Sequence, residues 1–261
     1  MTRKGILLAG GSGKRLSPLT KYVCKQLLPI YDKPLIYYPL YTLAKCGIKD
    51  ILVISTPETT PILEKSLGDG GLIGLRISYK VQETPNGIAQ AFVLGEEFLD
   101  GKPSCLILGD NIFYGNQAEK CFRQACRSER NTVFGYPVKD PSRYGVVEFD
   151  EQEDGRLVVK SIEEKPANPK SHYAIPGIYF FDSSAPAIAK NIKPSARGEY
   201  EITSVMERYR KAGQLDLLRL GAGNAWLDAG TFDSLIDSGN FVKTMQDRTG
   251  VKIGDVEGLA K

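Results

Sequence analysis

The segment Gly5–Pro34, GILLAGGSGKRLSPLTKYVCKQLLPIYDKP, restricts the fold more than any other part of the chain. It begins with a short apolar run, Gly5-Ile6-Leu7-Leu8-Ala9, which reads as a buried strand. The run empties into Gly10-Gly11-Ser12-Gly13 and then meets cations: Lys14, Arg15 and, further on, Lys25. A strand that ends in glycines lets backbone N–H groups approach a phosphate with no side chain in the way. Fixed cations nearby neutralise the charge. This is the layout of a nucleoside triphosphate site.

Two better-known phosphate loops do not fit. A P-loop carries a glycine five residues ahead of its Gly-Lys pair; here that position is Leu8, and Arg15 stands where Ser or Thr would bind Mg²⁺. A dinucleotide fingerprint begun at Gly11 has Gly13 second, but Leu16 occupies the third glycine position. A bare strand-to-loop turn would explain the glycines, but it does not ask for Arg and Lys beside them.

Beyond the loop, strand-like runs alternate with helical stretches. Ile51–Thr56, Leu75–Val81 and Ser104–Leu108 read as strands. Between the last two, Gly87–Leu99 places Ile88, Ala91, Phe92, Gly95 and Phe98 on one helical face. The alternation predicts an α/β fold: a doubly wound, mostly parallel, Rossmann-like sheet with helices on both faces. Ligands of such sheets bind beyond the carboxyl ends of the strands, where the glycine loop and Asp110 both fall.

The second half changes character. Thr132–Val138, Tyr144–Phe149, Leu157–Glu163 and Ala174–Phe181 read as strands with little helix between them. Asp140-Pro141-Ser142 and Glu153-Asp154-Gly155 supply turn chemistry for hairpins. Helices are expected at Glu201–Ala212 and at Thr231–Asp247, the latter with Phe232, Leu235, Ile236, Gly239 and Val242 on one face. The expectation is a single domain over residues 1–261, with a nucleotide-binding half at about 1–130 and a mixed-strand lobe at about 131–247 that carries the second substrate.

Composition narrows the function classes. At 261 residues the chain can form one large α/β domain, and 42% hydrophobic with 25% charged residues is ordinary for a globular protein. A net charge of +3, from scattered cations, argues against a nucleic-acid partner. Arg3 and Lys4 ahead of Ile6-Leu7-Leu8-Ala9 mimic a secretory leader, but the apolar core is too short and glycines follow it. No stretch approaches a membrane span, so no membrane partner and a cytoplasmic location are expected. Five irregularly spaced cysteines, at 24, 46, 105, 121 and 126, form no CxxC pair, and His172 is the only histidine. Structural thiols are therefore expected rather than a zinc cage, and a Ser-His-Asp site finds no partner for His172.

From Gly10 to Pro34 the chain presents a glycine-rich loop, Arg15-Leu16, Pro18-Leu19-Thr20, Lys25-Gln26-Leu27-Leu28-Pro29 and Asp32-Lys33-Pro34. That order resembles the signature of the sugar-nucleotide pyrophosphorylases, the sugar-1-phosphate nucleotidyltransferases, and is nearest to their thymidylyl-transferring members. Val81–Ala91, Arg143–Glu148, Glu163–Pro166 and Arg197–Thr203 match further family motifs. Lys14 departs from the family's usual Thr, and Ser204 stands where an aspartate is expected. Typical members continue beyond the position of Lys261 through helices that build a tetramer and a feedback site. A homo-oligomer is expected, but the mode of assembly and end-product inhibition are not carried over.

The resemblance implies direct in-line transfer of a nucleotidyl group from dTTP, or UTP, to glucose 1-phosphate or another hexose 1-phosphate, with Mg²⁺ as cofactor and pyrophosphate leaving, and makes the half at about 131–247 a sugar-binding lobe. Joining two anions requires cations on the phosphates, carboxylates for the metal and neutral amides for the base. Arg15 is placed on the triphosphate, where its planar fork suits phosphate oxygens, and Lys25 at the reacting phosphates. Leu8, Gly10, Gly11, Ser12, Gly13 and Lys14 are implied to border the nucleotide.

Asp110 follows an apolar strand and a glycine, and Asp228 follows Trp226-Leu227. The family uses these two aspartates together as metal ligands, a hard-oxygen set suited to Mg²⁺. Asp228 alternatively caps the helix that begins near Thr231. Gln26 and Gln82 carry the donor and acceptors that fit a uracil-like edge, with Pro85 and Gly87 shaping the Gln82 loop. The sugar phosphate is assigned by resemblance to Lys25, Asn111, Tyr144, Gly145, Glu164, Lys165 and Tyr179. A non-catalytic sugar-nucleotide-binding subunit is the competing class. Such degenerate relatives typically lose the metal carboxylates or the reactive lysine, and here Arg15, Lys25, Asp110 and Asp228 are all present.

Overall fold

A computed structural model describes residues 3–11 and 13–259. The strands of the first half are β1 (Lys4–Leu8), β2 (Pro29–Ile30), β3 (Lys33–Pro34), β4 (Asp50–Ser55), β5 (Arg76–Val81), β6 (Ser104–Leu108) and β7 (Asn111–Tyr114). Those of the second are β8 (Asn131–Pro137), β9 (Gly145–Glu151), β10 (Leu157–Glu164), β11 (Tyr173–Ala174), β12 (Ile178–Phe181), β13 (Leu215–Arg219) and β14 (Ala225–Asp228). The helices are α1 (Tyr37–Lys45), α2 (Thr60–Leu67), α3 (Gln90–Leu94), α4 (Glu96–Leu99), α5 (Asn116–Arg127), α6 (Ala185–Lys190), α7 (Ile202–Lys211) and α8 (Phe232–Thr249).

One ten-stranded sheet runs through both halves in the order β10-β9-β11-β8-β12-β6-β1-β4-β5, with β13 beside β8. β5, β4, β1 and β6 are mutually parallel, and β13 is parallel to β8. β12 enters antiparallel between β6 and β8, and β11, β9 and β10 extend the sheet by further antiparallel pairings.

The apolar run of β1 is explained by cover on both faces. Ile6, with Leu52 and Leu106 of its neighbours, packs against Phe92, Leu99 and Met206 from α3, α4 and α7. Leu7, with Val53 and Ile107, packs on the opposite side against Leu40, Leu63 and Phe122 from α1, α2 and α5. Ile6 and Leu7 are both fully buried, so truncating either to Ala costs about 2–5 kcal/mol. A third core, around Ile112, Ala229 and Val242, fastens α8 to the two-stranded ribbon β7–β14. That ribbon lies at the carboxyl end of β6 and shapes the site.

Four local expectations change. Asp140-Pro141-Ser142 is not a hairpin turn: it forms a short 3-10 turn, and β11 is inserted between the strands it joins. Asp140 instead accepts the Ser142 N–H at 3.1 Å, the local bond that makes Asp a turn residue. The run Ala174–Phe181 is two strands, because Pro176-Gly177 interrupts the ladder. The helical stretch expected from Gly87 starts at Gln90 and divides at Gly95, which packs against Ile6 where a Cβ would lie 2.8 Å from its Cδ1. In α8 the expected apolar face is split: Phe232 and Ile236 are exposed, while Ser238 and Val242 are buried.

Candidate active site

The carboxyl ends of β1, β4 and β6 are laced together. Ala9 N–H donates to Ile54 O at 2.7 Å and Gly109 N–H to Leu8 O at 2.9 Å, while Ser55 Oγ donates to Ala9 O at 2.9 Å. Gln82 continues from β5, its N–H donating to Ser55 O at 2.7 Å, and its buried side chain crosses toward the glycine loop. A Cβ on Gly10 would sit 2.7 Å from Gln82 Oε1, so a larger residue there displaces the amide. Gln82 Nε2 donates to Gln90 Oε1 at 2.7 Å, a partner that sequence reasoning did not assign. Gln26 is also buried, its Oε1 accepting from Cys24 Sγ at 3.1 Å.

Strand register brings the two aspartates together. β14 pairs antiparallel with β7 so that Asp228 lies opposite Asn111, one residue after Asp110, and Ala229 N–H donates to Asp110 O at 3.0 Å. Asp228 does not cap α8. Thr231 does so itself, in a reciprocal box with Ser234, which leaves the Asp228 carboxylate to the cleft. Burial and the neighbouring Asp110 carboxylate push the Asp228 carboxyl above its ordinary range, against the pull of Lys25, Arg15 and Arg143. Lys25 Nζ lies 2.5 Å from Asp110 Oδ2. The Arg15 guanidinium rests over Gly230, where a Cβ would stand 2.8 Å from Nη2 and 3.1 Å from Asp228 Oδ1.

A cavity of about 550 Å³ opens beside this pair. Arg15, Asp110 and Asp228 border it, and Asn111, Tyr144, Gly145, Glu164, Lys165 and Tyr179 form the sides assigned to the sugar phosphate. Asn111 also braces the floor: its Nδ2 donates to Asp110 Oδ1 at 2.8 Å, and its Oδ1 accepts from Trp226 Nε1 at 2.6 Å and Gly177 N–H at 3.0 Å. Glu164 accepts from Thr203 Oγ1 at 3.2 Å, with Lys165 Nζ at 3.6 Å and Arg197 Nη1 at 3.7 Å. Its pKa is raised, first by burial and then by Glu201, with Lys165, Thr203 and Arg197 opposing. Tyr179 is almost wholly buried, and its phenol is raised by burial and by Glu164 and Asp110.

A family model for nucleotidyl transferases matches residues 4–245, nearly the full length of this architecture. The chain belongs to the nucleotidyl transferase family. This transferase is 52% identical over 257 residues to the glucose-1-phosphate thymidylyltransferase of Mycolicibacterium smegmatis, covering 98% of this chain and 88% of that one. It is 52% identical over 258 residues to the enzyme of the same name from Neisseria gonorrhoeae, with the same coverage. A crystal structure from Bacillus anthracis, provisionally named a glucose-1-phosphate thymidylyltransferase and holding a sucrose, superposes with a TM-score of 0.85 at 37% identity, covering 98% and 99% of the two chains.

Not every expected residue of the transferase meets the cavity. Leu8, Gly10, Gly11, Gly13, Lys14, Gln26, Gln82, Pro85 and Gly87 stand outside its lining, and Ser12 lies outside the described residues. Lys25 reaches the cavity only through Asp110. Gly87, at φ +112°, abuts the Tyr200 backbone, where a Cβ would lie 2.4 Å from its carbonyl oxygen. Arg143, Thr203 and Trp226 line the cavity without having been assigned to it. Arg143 and Thr203 lie within motifs read from the sequence and Trp226 two residues before Asp228, but membership of a motif does not reveal which side chain turns inward.

The residues present fit a divalent cation. Two carboxylates, one just ahead of β7 and one at the end of its partner β14, the second held against its neighbour's charge, are a hard-oxygen pair of the kind Mg²⁺ uses together with substrate phosphates and water. Among the described residues no group of three or more His, Cys, Asp or Glu is arranged for a metal, so an all-protein cage is not the design. No helix among the described residues is long and apolar enough to cross a membrane.

Proposed function

We propose that this transferase moves a thymidylyl group from dTTP to α-D-glucose 1-phosphate, forming dTDP-glucose and releasing pyrophosphate. The observation that carries the reading is the convergence of Asp110, Asp228, Arg15 and Lys25 at the carboxyl edge of a parallel sheet, between a buried Gln82 and a cavity of about 550 Å³. The names of relatives about half identical over nearly the whole chain supply the nucleotide and the sugar.

An oxygen of the sugar 1-phosphate forms a bond to the α-phosphorus of dTTP as the bond to the bridging oxygen breaks, and pyrophosphate leaves with that electron pair. Arg15 holds the triphosphate, and Lys25 stabilises the charge at the reacting phosphates. Asp110 and Asp228 would hold Mg²⁺, which supplies charge neutralisation on the phosphates when bound. Gln26 and Gln82 face the base, with Gly10 and the Pro85–Gly87 loop shaping its slot. Glu164 accepts from sugar hydroxyls, Lys165 balances the 1-phosphate, and Asn111, Tyr144, Gly145 and Tyr179 complete the sugar side. The five cysteines are free thiols, which fits a reducing compartment such as the cytoplasm. A homo-oligomer is part of the reading, and light scattering measures it.

The test is pyrophosphate release from purified protein with Mg²⁺, glucose 1-phosphate, and dTTP or UTP in separate reactions. Release that requires the sugar phosphate and is faster with dTTP supports the reading. Equal or faster release with UTP replaces the thymidylyl assignment with a uridylyl one, and no release with either triphosphate defeats it.

A further inference from the structure

Lys25 occupies a place in the protein that the transfer reaction alone does not require. Its Nζ is 2.5 Å from Asp110 Oδ2, with the lysine side chain 7% exposed and the aspartate 25%. The other oxygen, Oδ1, accepts from Asn111 Nδ2. Both oxygens of one proposed metal ligand thus have partners before any cation arrives. The lysine backbone is fixed in the 3-10 turn Lys25–Leu27, with Leu28 N–H donating to Lys25 O at 3.1 Å. Its four-carbon stem can still swing the ammonium from one anion to another.

Charge decides when it moves. Around Asp228 stand Asp110 and three cations, Lys25, Arg15 and Arg143. Two carboxylates among three cations already leave a positive excess. A divalent cation arriving alone would deepen it and strand a buried ammonium without its counter-ion, which is costly. A triphosphate arriving with the cation reverses the excess and offers Lys25 a new partner.

We infer that Lys25 is the resident counter-ion of Asp110, displaced by the divalent cation only when a triphosphate phosphate takes it over, so that cation and nucleotide bind as a coupled pair. The inference rests on the nucleotidyl-transfer reading and adds to it an order of events. In the free enzyme Lys25 holds the metal affinity of Asp110 down, and in the loaded enzyme the same ammonium sits on the phosphates. The coupling is reciprocal, as any linkage between two ligands must be.

Mn²⁺ alone, without nucleotide, is the probe, with free ion counted by electron paramagnetic resonance. Lys25→Met and Lys25→Gln are expected to bind Mn²⁺ at least about tenfold more tightly than wild type, although both are catalytically impaired. Lys25→Arg keeps the charge and is expected to stay weak, and Asp110→Asn added to Lys25→Met is expected to abolish the gain. Two neutral replacements of different shape guard against one failing to fold, which circular dichroism reports. Equal or weaker Mn²⁺ binding in the neutral variants overturns the exchange. If wild type still releases pyrophosphate in that case, the nucleotidyl-transfer reading survives; if wild type shows no turnover, that reading falls and takes the inference with it.

Discussion

The proposed nucleotide edge and the proposed sugar cleft use opposite materials. At the edge, Gly10, Gln82, Gln90 and the strand ends are uncharged and joined by short hydrogen bonds to backbone and amide partners. In the cleft, Glu164, Lys165, Arg197 and Glu201 form a charged group, and burial beside Glu201 raises the Glu164 carboxyl. An uncharged, close-packed edge should respond to shape, and a charged cleft to pH. Asp110 and Asp228 lie on the seam and should affect both sides.

The seam gives the largest expected effect. Asp228→Asn should lower kcat about 10³-fold through the lost metal ligand, with either substrate varied. Its effect on stability runs the other way. The folded-state pKa of Asp228 is raised, so the ionised carboxylate costs stability once pH exceeds the unfolded value, and the cost is complete above the folded one. The Asn variant should therefore melt about 2 °C higher at neutral pH, an advantage that disappears on acidification. Calorimetry beside steady-state assays checks both signs, and a lower melting temperature contradicts the electrostatic account.

Gly87→Ala is the sharpest attempt to break the contrast. Gly87 belongs to the nucleotide loop, but it is stitched to the sugar side: Tyr200 N–H donates to Asn86 O at 2.7 Å and Ala89 N–H to Tyr200 O at 3.1 Å. Tyr200 immediately precedes Glu201, and Arg197 bridges Glu201 and Glu164. The added Cβ, at positive φ and against that backbone, should raise the KM for both substrates about tenfold or more. A change confined to the dTTP KM would show the two regions to be mechanically independent.

Gly10→Ala should stay on one side. Displacing Gln82 Oε1 is expected to raise the KM for dTTP about tenfold and leave that for glucose 1-phosphate unchanged. The smallest neutral-pH effect is expected from Glu164→Gln, a rise of about threefold in the sugar-phosphate KM. Its value lies in the pH profile. Because the folded pKa of Glu164 is raised, wild type should protonate it above the usual carboxylate range as pH falls, and the sugar-phosphate KM should climb there. The Gln variant should show no such climb, and a dTTP KM that follows the same profile would contradict the division into a shape-sensitive and a charge-sensitive side.

Most of the edge was legible in the sequence because it is built locally. The strand ending at Leu8, the glycines after it and Gln82 just past β5, like the cations Arg15 and Lys25 that flank the edge, all belong to short segments whose periodicity and composition announce them. The cleft was legible mainly through resemblance, since a Glu-Glu-Lys turn by itself is ordinary surface. What was misread depended on distant partners. Phe232 and Ile236 share a helical face with Leu235, but the third core takes Leu235 with Phe241, Val242 and Met245 and leaves the other two exposed. Asp140-Pro141-Ser142 has hairpin chemistry, yet β11, arriving some thirty residues later, takes the pairing position.

The sequence alone determined the α/β class, the glycine-and-cation make-up of the first loop and the kinds of side chain gathered at the candidate site, because apolar runs, glycines and charges act through near neighbours. The tertiary structure alone decided that Asp228 faces Asp110 across the β7–β14 register, that Lys25 rests on Asp110, and that Arg143, Thr203 and Trp226 turn into the cavity. Those choices depend on which strand ladders and cores form between segments far apart in the chain, and no local pattern encodes that competition.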